Sequence, residues 1–328
     1  MLKLEDVAKQ AGVSVTTVSR VLNNRGYISQ KTRDKVNQVI KELNYQPNEM
    51  ARALFRKKSN MIGLIIPSVA HPFFSELAYY LEHYAHLSGY KLLVCNSNRD
   101  EEKEKQYIEM LKKNQVDAII MGSTVLNVEH YQNLNFPVIS FDRIISNTIP
   151  MIAANNKKGG ILAANLFIEK QCKHPAYLSR GLDGRHHEAM LANGREEGFI
   201  ERYKDENIKV INFELNPFSN RLERLAEIEQ FINEHPNVDC IFSSSDVIAA
   251  EIIQVCARLN IKIGTDIKLI GYDDTNIATL VYPNITTIKQ PIEQMSEAAI
   301  STIVNKLEGH DVTLNNVFDV ELVERETT

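Results

Sequence analysis

Residues 4–23 read Leu4-Glu-Asp-Val-Ala-Lys-Gln-Ala-Gly-Val-Ser-Val-Thr-Thr-Val-Ser-Arg-Val-Leu-Asn23. Leu4, Val7, Ala8 and Ala11 fall at i, i+3, i+4 and i+7, one apolar face of a two-turn helix. Gly12 breaks that helix, and Ser14 is placed to cap a second one running from Val15 to about Asn23. In the second helix Val18, Val21 and Leu22 face inward, leaving Thr16, Thr17, Ser19, Arg20 and Asn23 outside. Helix, glycine turn and a second helix with a short polar outer face make a helix-turn-helix. An Arg that can reach guanine edges, beside hydroxyls short enough to let the backbone approach, is what base reading asks for. A third helix follows from Ser29, with Val36, Val39, Ile40 and Leu43 as its core face.

Such a unit would serve equally as a packing module, and charge separates the two readings. Residues 1–58 carry twelve Lys/Arg against five Asp/Glu, a net of +7, while the other 270 residues net −12. A basic head on an acidic body predicts that a polyanion binds the head alone. After Pro47, which stops the third helix, Asn48 can cap a two-turn piece ending near Phe55, followed by Arg56-Lys-Lys58. Two turns are marginal in water, so this piece is expected to order only against a partner, as a hinge does.

From residue 61 the rhythm changes. Strand-like runs begin near Ile62, Tyr90, Asp117, Val138, Ala176, Val210, Asp239 and Ile267, with amphipathic stretches between them. This is the cadence of βαβ units with parallel sheets, and it holds too many strands for one sheet of mean size, so two lobes are expected. The expected strand ends are polar: Pro67-Ser68, Asn96-Ser-Asn98, Asp142-Arg143, Ser243-Ser-Ser-Asp246 and Tyr272-Asp-Asp274. Ligands of open α/β sheets bind at those ends. Carboxylates to accept from hydroxyls, an Arg to donate and aromatic faces against ring carbons are what a sugar site requires. Asp246 could as readily start the helix that follows it as touch a ligand, and Asp142 and Asp273 could be plain loop carboxylates.

The first 54 residues, with Asn44-Tyr-Gln-Pro-Asn-Glu-Met-Ala-Arg-Ala-Leu54 after the helix-turn-helix, resemble the DNA-binding head of LacI/GalR regulators. His71-Pro-Phe-Phe74, Gly159-Gly160, Arg195-Glu-Glu-Gly-Phe199, Ile270-Gly-Tyr-Asp-Asp-Thr275 and Ile285-Thr-Thr-Ile-Lys-Gln-Pro291 resemble core motifs of the same family. The resemblance implies a small all-α head and an α/β two-lobe core of the type I periplasmic-binding-protein-like kind, with parallel sheets. The expected divisions are a helix-turn-helix domain at 1–46, a hinge at 47–59 and an effector-binding and dimerisation core at 60–328. Within the core, one lobe takes about 60–157 and 291–318, the other about 158–290 and 319–328.

Carried over by motif position, Val15, Thr16 and Arg20 read bases in a palindromic double-stranded operator. Thr17, Ser19, Asn23 and Asn48 sit near phosphates, and Leu54 wedges into the minor groove. Asp142, Arg195, Ser245, Asp273 and Gln290 match effector contacts, with Ser68, His71 and Phe73 on the rim. Ser245 stands where several sugar-binding members have Asn. Val21-Leu-Asn-Asn-Arg-Gly-Tyr-Ile-Ser29, Val94-Cys-Asn-Ser-Asn98, Asn114-Gln-Val-Asp117 and Ser140-Phe-Asp-Arg143 resemble sucrose-operon repressors of Gram-positive bacteria. They imply sucrose, its phosphate or a related fructoside as effector. A wedge at the centre of a palindrome needs two copies, so a homodimer is expected. No leucine heptad follows Glu321-Leu-Val-Glu-Arg-Glu-Thr-Thr328, which predicts that the tetramer-forming tail of some relatives is absent.

Composition excludes other classes. Hydrophobic residues at 44% and charged ones at 24% leave no room for long disorder. The longest apolar run, Met61 to Pro67, is far short of the roughly 20 residues a bilayer needs. The N-terminus has charges where an export signal needs an apolar stretch, which predicts a cytoplasmic protein and argues against an exported sugar-binding protein. Cys95, Cys172, Cys240 and Cys256 have neither zinc nor redox spacing and are expected to be reduced. An enzyme is not expected: there is no Gly-rich phosphate loop, His-Glu-x-x-His or nucleophile elbow, and no cofactor. His186-His187 and Cys172-Lys-His174 lack a second ligand pair, so no metal site is expected. Induction or co-repression by the ligand are both open on sequence alone.

Overall fold

The computed structural model describes residues 2–45, 59–113, 116–122, 134, 136–181 and 191–328. The chain divides into two compact units, Met1–Ser59 and Asn60–Thr328. The expected hinge contacts Asn48 and Leu54 lie outside the described residues, as do His186 and His187.

In the first unit α1 (Leu4–Ala11), α2 (Val15–Leu22) and α3 (Gln30–Glu42) enclose a small core of Val7, Ala8, Ala11, Val18, Val21, Val36 and Val39. Their boundaries follow local chemistry. Gly12 ends α1 in the left-handed region at φ 60°. Ser14 accepts from the Thr17 N–H and Ser29 from the Thr32 N–H, each satisfying one of the orphan donors of a first turn.

The second unit contains two six-stranded sheets. In the first, β1 (Met61–Ile66), β2 (Lys91–Asn96), β3 (Ala118–Met121), β4 (Val138–Phe141), β5 (Met151–Ala154) and β11 (Asn315–Phe318) lie in the order β11-β5-β4-β3-β1-β2, all parallel. In the second, β6 (Pro175–Arg180), β7 (Ile211–Leu215), β8 (Cys240–Ser243), β9 (Lys268–Asp273), β10 (Thr286–Lys289) and β12 (Glu321–Val323) lie in the order β12-β10-β9-β8-β6-β7. Only β12 runs antiparallel there. The chain passes between sheets after β5, β10 and β11. Central strands such as β1 are apolar on both faces because helices cover both sides.

The helices of the core are α4 (Pro72–Leu87), α5 (Glu101–Lys113), α6 (Asn156–Glu169), α7 (Gly194–Lys204), α8 (Arg221–Glu234), α9 (Asp246–Arg258), α10 (Ile277–Leu280) and α11 (Ile292–Leu307). Every expected strand start lies within one residue of an observed one. Strands β5, β10, β11 and β12 have no counterpart among the eight expected starts; each is three or four residues long.

Gly160 and Gly198 explain two of the sequence motifs. A Cβ on Gly160 would collide with the Arg195 carbonyl, and one on Gly198 with the Lys157 carbonyl. Helices α6 and α7 therefore touch backbone to backbone, bringing the first turn of α6 against the first turn of α7. That contact sets the position of Asn156 and Arg195.

Among the described residues, no helix is long and apolar enough to cross a membrane.

Candidate functional site

In both sheets the order reverses beside one strand, β1 in the first and β6 in the second, and the reversal points face each other across a cleft. The cavity there, ≈240 Å³, is near the lower end of small-molecule sites at roughly 300 Å³. His71, Phe73 and Asp142 line it from the first lobe; Arg195, Ser245 and Asp273 from the second. Two expected contacts are not on the lining. Ser68 turns its hydroxyl to accept the Ala70 N–H at 3.2 Å. Gln290 sits buried behind Asp273, donating Nε2 to Asp273 Oδ1 at 2.7 Å, with its own Oε1 buried and without a hydrogen-bond partner.

The polar centre of the cleft is built on Asn156, which the sequence reading did not single out. Its Oδ1 accepts from Arg195 Nε (2.8 Å) and the Tyr272 hydroxyl (3.2 Å), and its Nδ2 donates to Asp142 Oδ1 and the Ala154 carbonyl (3.1 Å each). Arg195 also donates Nη1 to the Ser244 carbonyl at 2.7 Å, faces Asp273 Oδ1 at 3.9 Å and stacks 3.6 Å from the Tyr272 ring centroid. One guanidinium is thus held by a neighbouring amide, a carbonyl, a carboxylate and a ring, which fixes the direction of its remaining donors. Asp142 (φ 48°) and Asp273 (φ 109°) are non-glycine residues in the left-handed region, a strain that gathers at ligand sites.

Burial raises the pKa of Asp142 against the pull of Arg195. Burial likewise raises Asp273 to about 7, with Arg195 and the Gln290 amide opposing it and Asp142 and Glu76 adding to it. His71, at the N-cap of α4, is lowered to about 4 by burial and then by Arg99, Arg195 and Arg180. A buried carboxylate, Asp273, and a half-buried one, Asp142, flanking one oriented guanidinium, with Phe73, Phe74, Phe141 and Tyr177 on the same walls, can hold a polyhydroxylated ring.

Asp246 faces away from the cavity. Its Oδ1 accepts from the Thr287 hydroxyl at 2.6 Å and its Oδ2 from the Thr275 N–H at 2.9 Å, while Ser245 caps α9 by accepting from the Ile248 N–H. Asp246 ties the start of α9 to β10 and to the segment after β9. Lining residues that sequence reading missed include Arg99 on the loop after β2, Tyr177 and Arg180 of β6, Glu214 of β7 and Arg224 of α8. No local pattern marks any of them. Cys172 and Cys240, 68 residues apart in sequence, meet in the core beside Asp239, whose two oxygens accept the Lys173 and His174 N–H groups. That carboxylate is spent on a turn, and the two thiols remain free.

In the first unit Val15, Thr16 and Arg20 are exposed on α2, and Arg20 has no ion pair or hydrogen bond among the described residues. Thr17, Ser19 and Asn23 are half-buried. The Thr17 hydroxyl meets the Ser14 hydroxyl at 2.9 Å, and Asn23 donates Nδ2 to the Ser19 carbonyl at 2.8 Å.

Comparison with known proteins agrees with both halves of this picture. Residues 3–48 match the family "Bacterial regulatory proteins, lacI family", and residues 164–328 match "Periplasmic binding protein-like domain". The chain is 38% identical over 99% of both lengths to the sucrose operon repressor of Streptococcus mutans serotype c. It is 36% identical to the ribose operon repressor of Halalkalibacterium halodurans, over 100% of this chain and 97% of that one. Among solved structures, the lac repressor dimer bound to operator and the anti-inducer ONPF matches with a TM-score of 0.84 at 26% identity, over 99% of this chain and 98% of that one.

Proposed function

This chain belongs to the lacI family of bacterial regulatory proteins, and from that premise we propose that it is a sugar-operon repressor whose cleft takes a sugar of the sucrose or fructoside class as inducer. As a family member it is a DNA-binding transcriptional repressor that acts as a dimer on operator DNA with a sugar effector, and it is not an enzyme. It works in the cytoplasm, where its operator is.

In the head, Val15, Thr16 and Arg20 read base edges. Thr17, Ser19, Asn23 and Asn48 approach phosphates, and Leu54 wedges at the centre of the palindrome. In the core, Arg195, Asp142 and Asp273 take the sugar hydroxyls, Ser245 adds a hydroxyl, and His71 and Phe73 form the rim. Gln290 acts from behind that wall by holding Asp273, and Ser68 stands at the rim beside Pro67. A ligand that fits one lobe arrangement better than another shifts the population toward it, and the two heads of the dimer follow.

The observation that carries the sugar reading is the convergence of Asp142 after β4, Asp273 at the end of β9 and Arg195 in the first turn of α7 onto one aromatic-walled cleft. The relatives named for sucrose and for ribose are almost equally similar, so the sugar needs a direct test. Gel shifts on a palindromic operator, run with sucrose, fructose and ribose, should show release by the first two. Release by ribose alone would move the effector class, and release by no sugar would overturn the reading.

A further inference from the structure

The turn that ends β9 is held one residue at a time by three separate parts of the chain. Asp273 (φ 109°) and Asp274 (φ 57°) are consecutive non-glycine residues in the left-handed region. Strain of that kind persists only where the surroundings over-determine it. Asp273 Oδ1 accepts from Gln290 Nε2 at 2.7 Å, just after β10, and the Thr275 N–H donates to Asp246 Oδ2 at 2.9 Å, at the start of α9. Asp274, between them, is off the cavity lining, and its Oδ1 accepts from Arg325 Nη2 at 2.6 Å. Arg325 lies two residues beyond β12 and is itself fixed at both ends. Its Nη1 donates to the Ile285 carbonyl at 2.7 Å and its backbone N–H to the Thr286 hydroxyl at 2.8 Å. The fully buried Thr327 anchors the same segment, donating its hydroxyl to the Leu269 carbonyl at 2.7 Å and accepting from the Thr286 N–H at 2.8 Å. The Arg325 and Asp274 side chains are only 18% and 13% exposed, so water screens this pair less than it does a surface one.

We propose that Arg325 is a positioning residue for the effector cleft, which through Asp274 holds the turn in the conformation that aims Asp273 into the cavity; the inference rests on the sugar-effector reading above. Arg325 is not on the lining and touches no ligand there. Its leverage is the backbone. The peptide joining Asp273 to Asp274 is planar, so relaxing Asp274 out of the left-handed region swings the Asp273 carbonyl, which accepts from the Gln290 N–H at 3.3 Å. The side-chain bond from Gln290 fixes one oxygen of Asp273 and leaves that rotation open. A charge-assisted bond from a guanidinium with a second anchor closes it. Gln290 stands where the chain leaves for the first lobe after β10, and Arg325 follows the segment that returns from that lobe after β11. The carboxylate that receives the sugar is thereby tied to two of the connections between the lobes.

The test is calorimetry on the full-length protein with sucrose, fructose and ribose, at a temperature where circular dichroism shows every variant folded. Arg325→Gln and Asp274→Asn should each weaken binding of the sugar that the parent takes by about tenfold, the scale of one charge-assisted hydrogen bond. The double variant should be no weaker than either single one, because both remove the same contact. Arg325→Lys keeps the charge and should stay within about threefold of the parent. Operator affinity without sugar, which a general loosening of the core would also disturb, should change less than about threefold in all four. Parent-like sugar affinity in Arg325→Gln, with only the melting temperature lowered, would overturn the positioning role and leave the pair as a staple of the fold. Losses that add in the double variant would overturn it too, since Arg325 and Asp274 would then act separately. A parent protein that binds none of the three sugars would overturn the sugar reading and the positioning role together.

Discussion

Replacing Asn156 with Leu keeps the volume of the side chain and deletes all four of its hydrogen bonds. Two of them go to charged groups, Arg195 and Asp142, and two to neutral ones, Tyr272 and the Ala154 carbonyl. Hydrogen bonds to charged groups contribute about 1.5–3 kcal/mol each and neutral ones about 1. Arg195 keeps the Ser244 carbonyl and Asp142 keeps the Ala154 N–H, so both charges retain a partner. The lower half of the range applies, and we expect a loss of about 2–4 kcal/mol in core stability. For a unit of this size that lowers the melting temperature by roughly 4–16 °C. Urea unfolding followed by circular dichroism would measure it. Sugar affinity should fall with it, because Arg195 and Asp142 lose the amide that aligns them. Sugar-free operator binding at a temperature where the variant is folded should stay within a few-fold of the parent. A variant as stable as the parent that still responds to sugar at the parent's concentrations would refute the role of Asn156 as the organiser of the cleft.

Arg20→Ala should cost about 1–3 kcal/mol on the specific operator and much less on random DNA, measured by fluorescence anisotropy on both; equal losses would show a phosphate contact only. Gly160→Ala sets a methyl group against the Arg195 carbonyl, where neither backbone can yield cheaply, and should destabilise the core by about 1–3 kcal/mol or more in the same urea assay. Asp273, raised to about 7 by burial, is surrounded by Arg195, Gln290, Asp142 and Glu76. Sugar hydroxyls donate to its ionised form, so ligand binding lowers its pKa, and affinity for an unphosphorylated sugar should rise as pH increases through about 7. Calorimetry on Asp273→Asn should show that rise lost.

Much of the fold could be read from the sequence because its signals are local. The faces of α1, α2 and α3 repeat at helical spacing, Ser14 and Ser29 cap their own helices, and the strand cadence located eight strands of the core. Strands β5, β10, β11 and β12 escaped; at three or four residues they carry no period, and β3, β4 and β8, equally short, were legible only as apolar runs in the βαβ cadence. The site divides in the same way. Asp142 and Asp273 stand at strand ends, where an α/β fold makes a carboxylate noticeable, and Arg195 lies within a family motif. Asn156 is an ordinary residue in the first turn of a helix until the Gly160–Gly198 contact brings α7 against it. Arg99, Arg180 and Arg224 come from separate segments and form one wall only after the two lobes are assembled. Asp246 shows the converse. It sits in a run of strand-end polar residues, yet the Thr287 and Thr275 donors turn it away from the cavity.

In the proposed function one sugar site and one operator site are coupled. Coupling is reciprocal: if sugar weakens operator binding by some factor, operator must weaken sugar binding by the same factor. The measurement is therefore sugar affinity by calorimetry, which suits a chain with no Trp, on the free protein and on the protein saturated with palindromic operator. The expected result is a sugar dissociation constant raised on operator by the factor found for operator release, on the order of 5–150-fold. The same sugar affinity with and without operator would show that the two sites are not coupled.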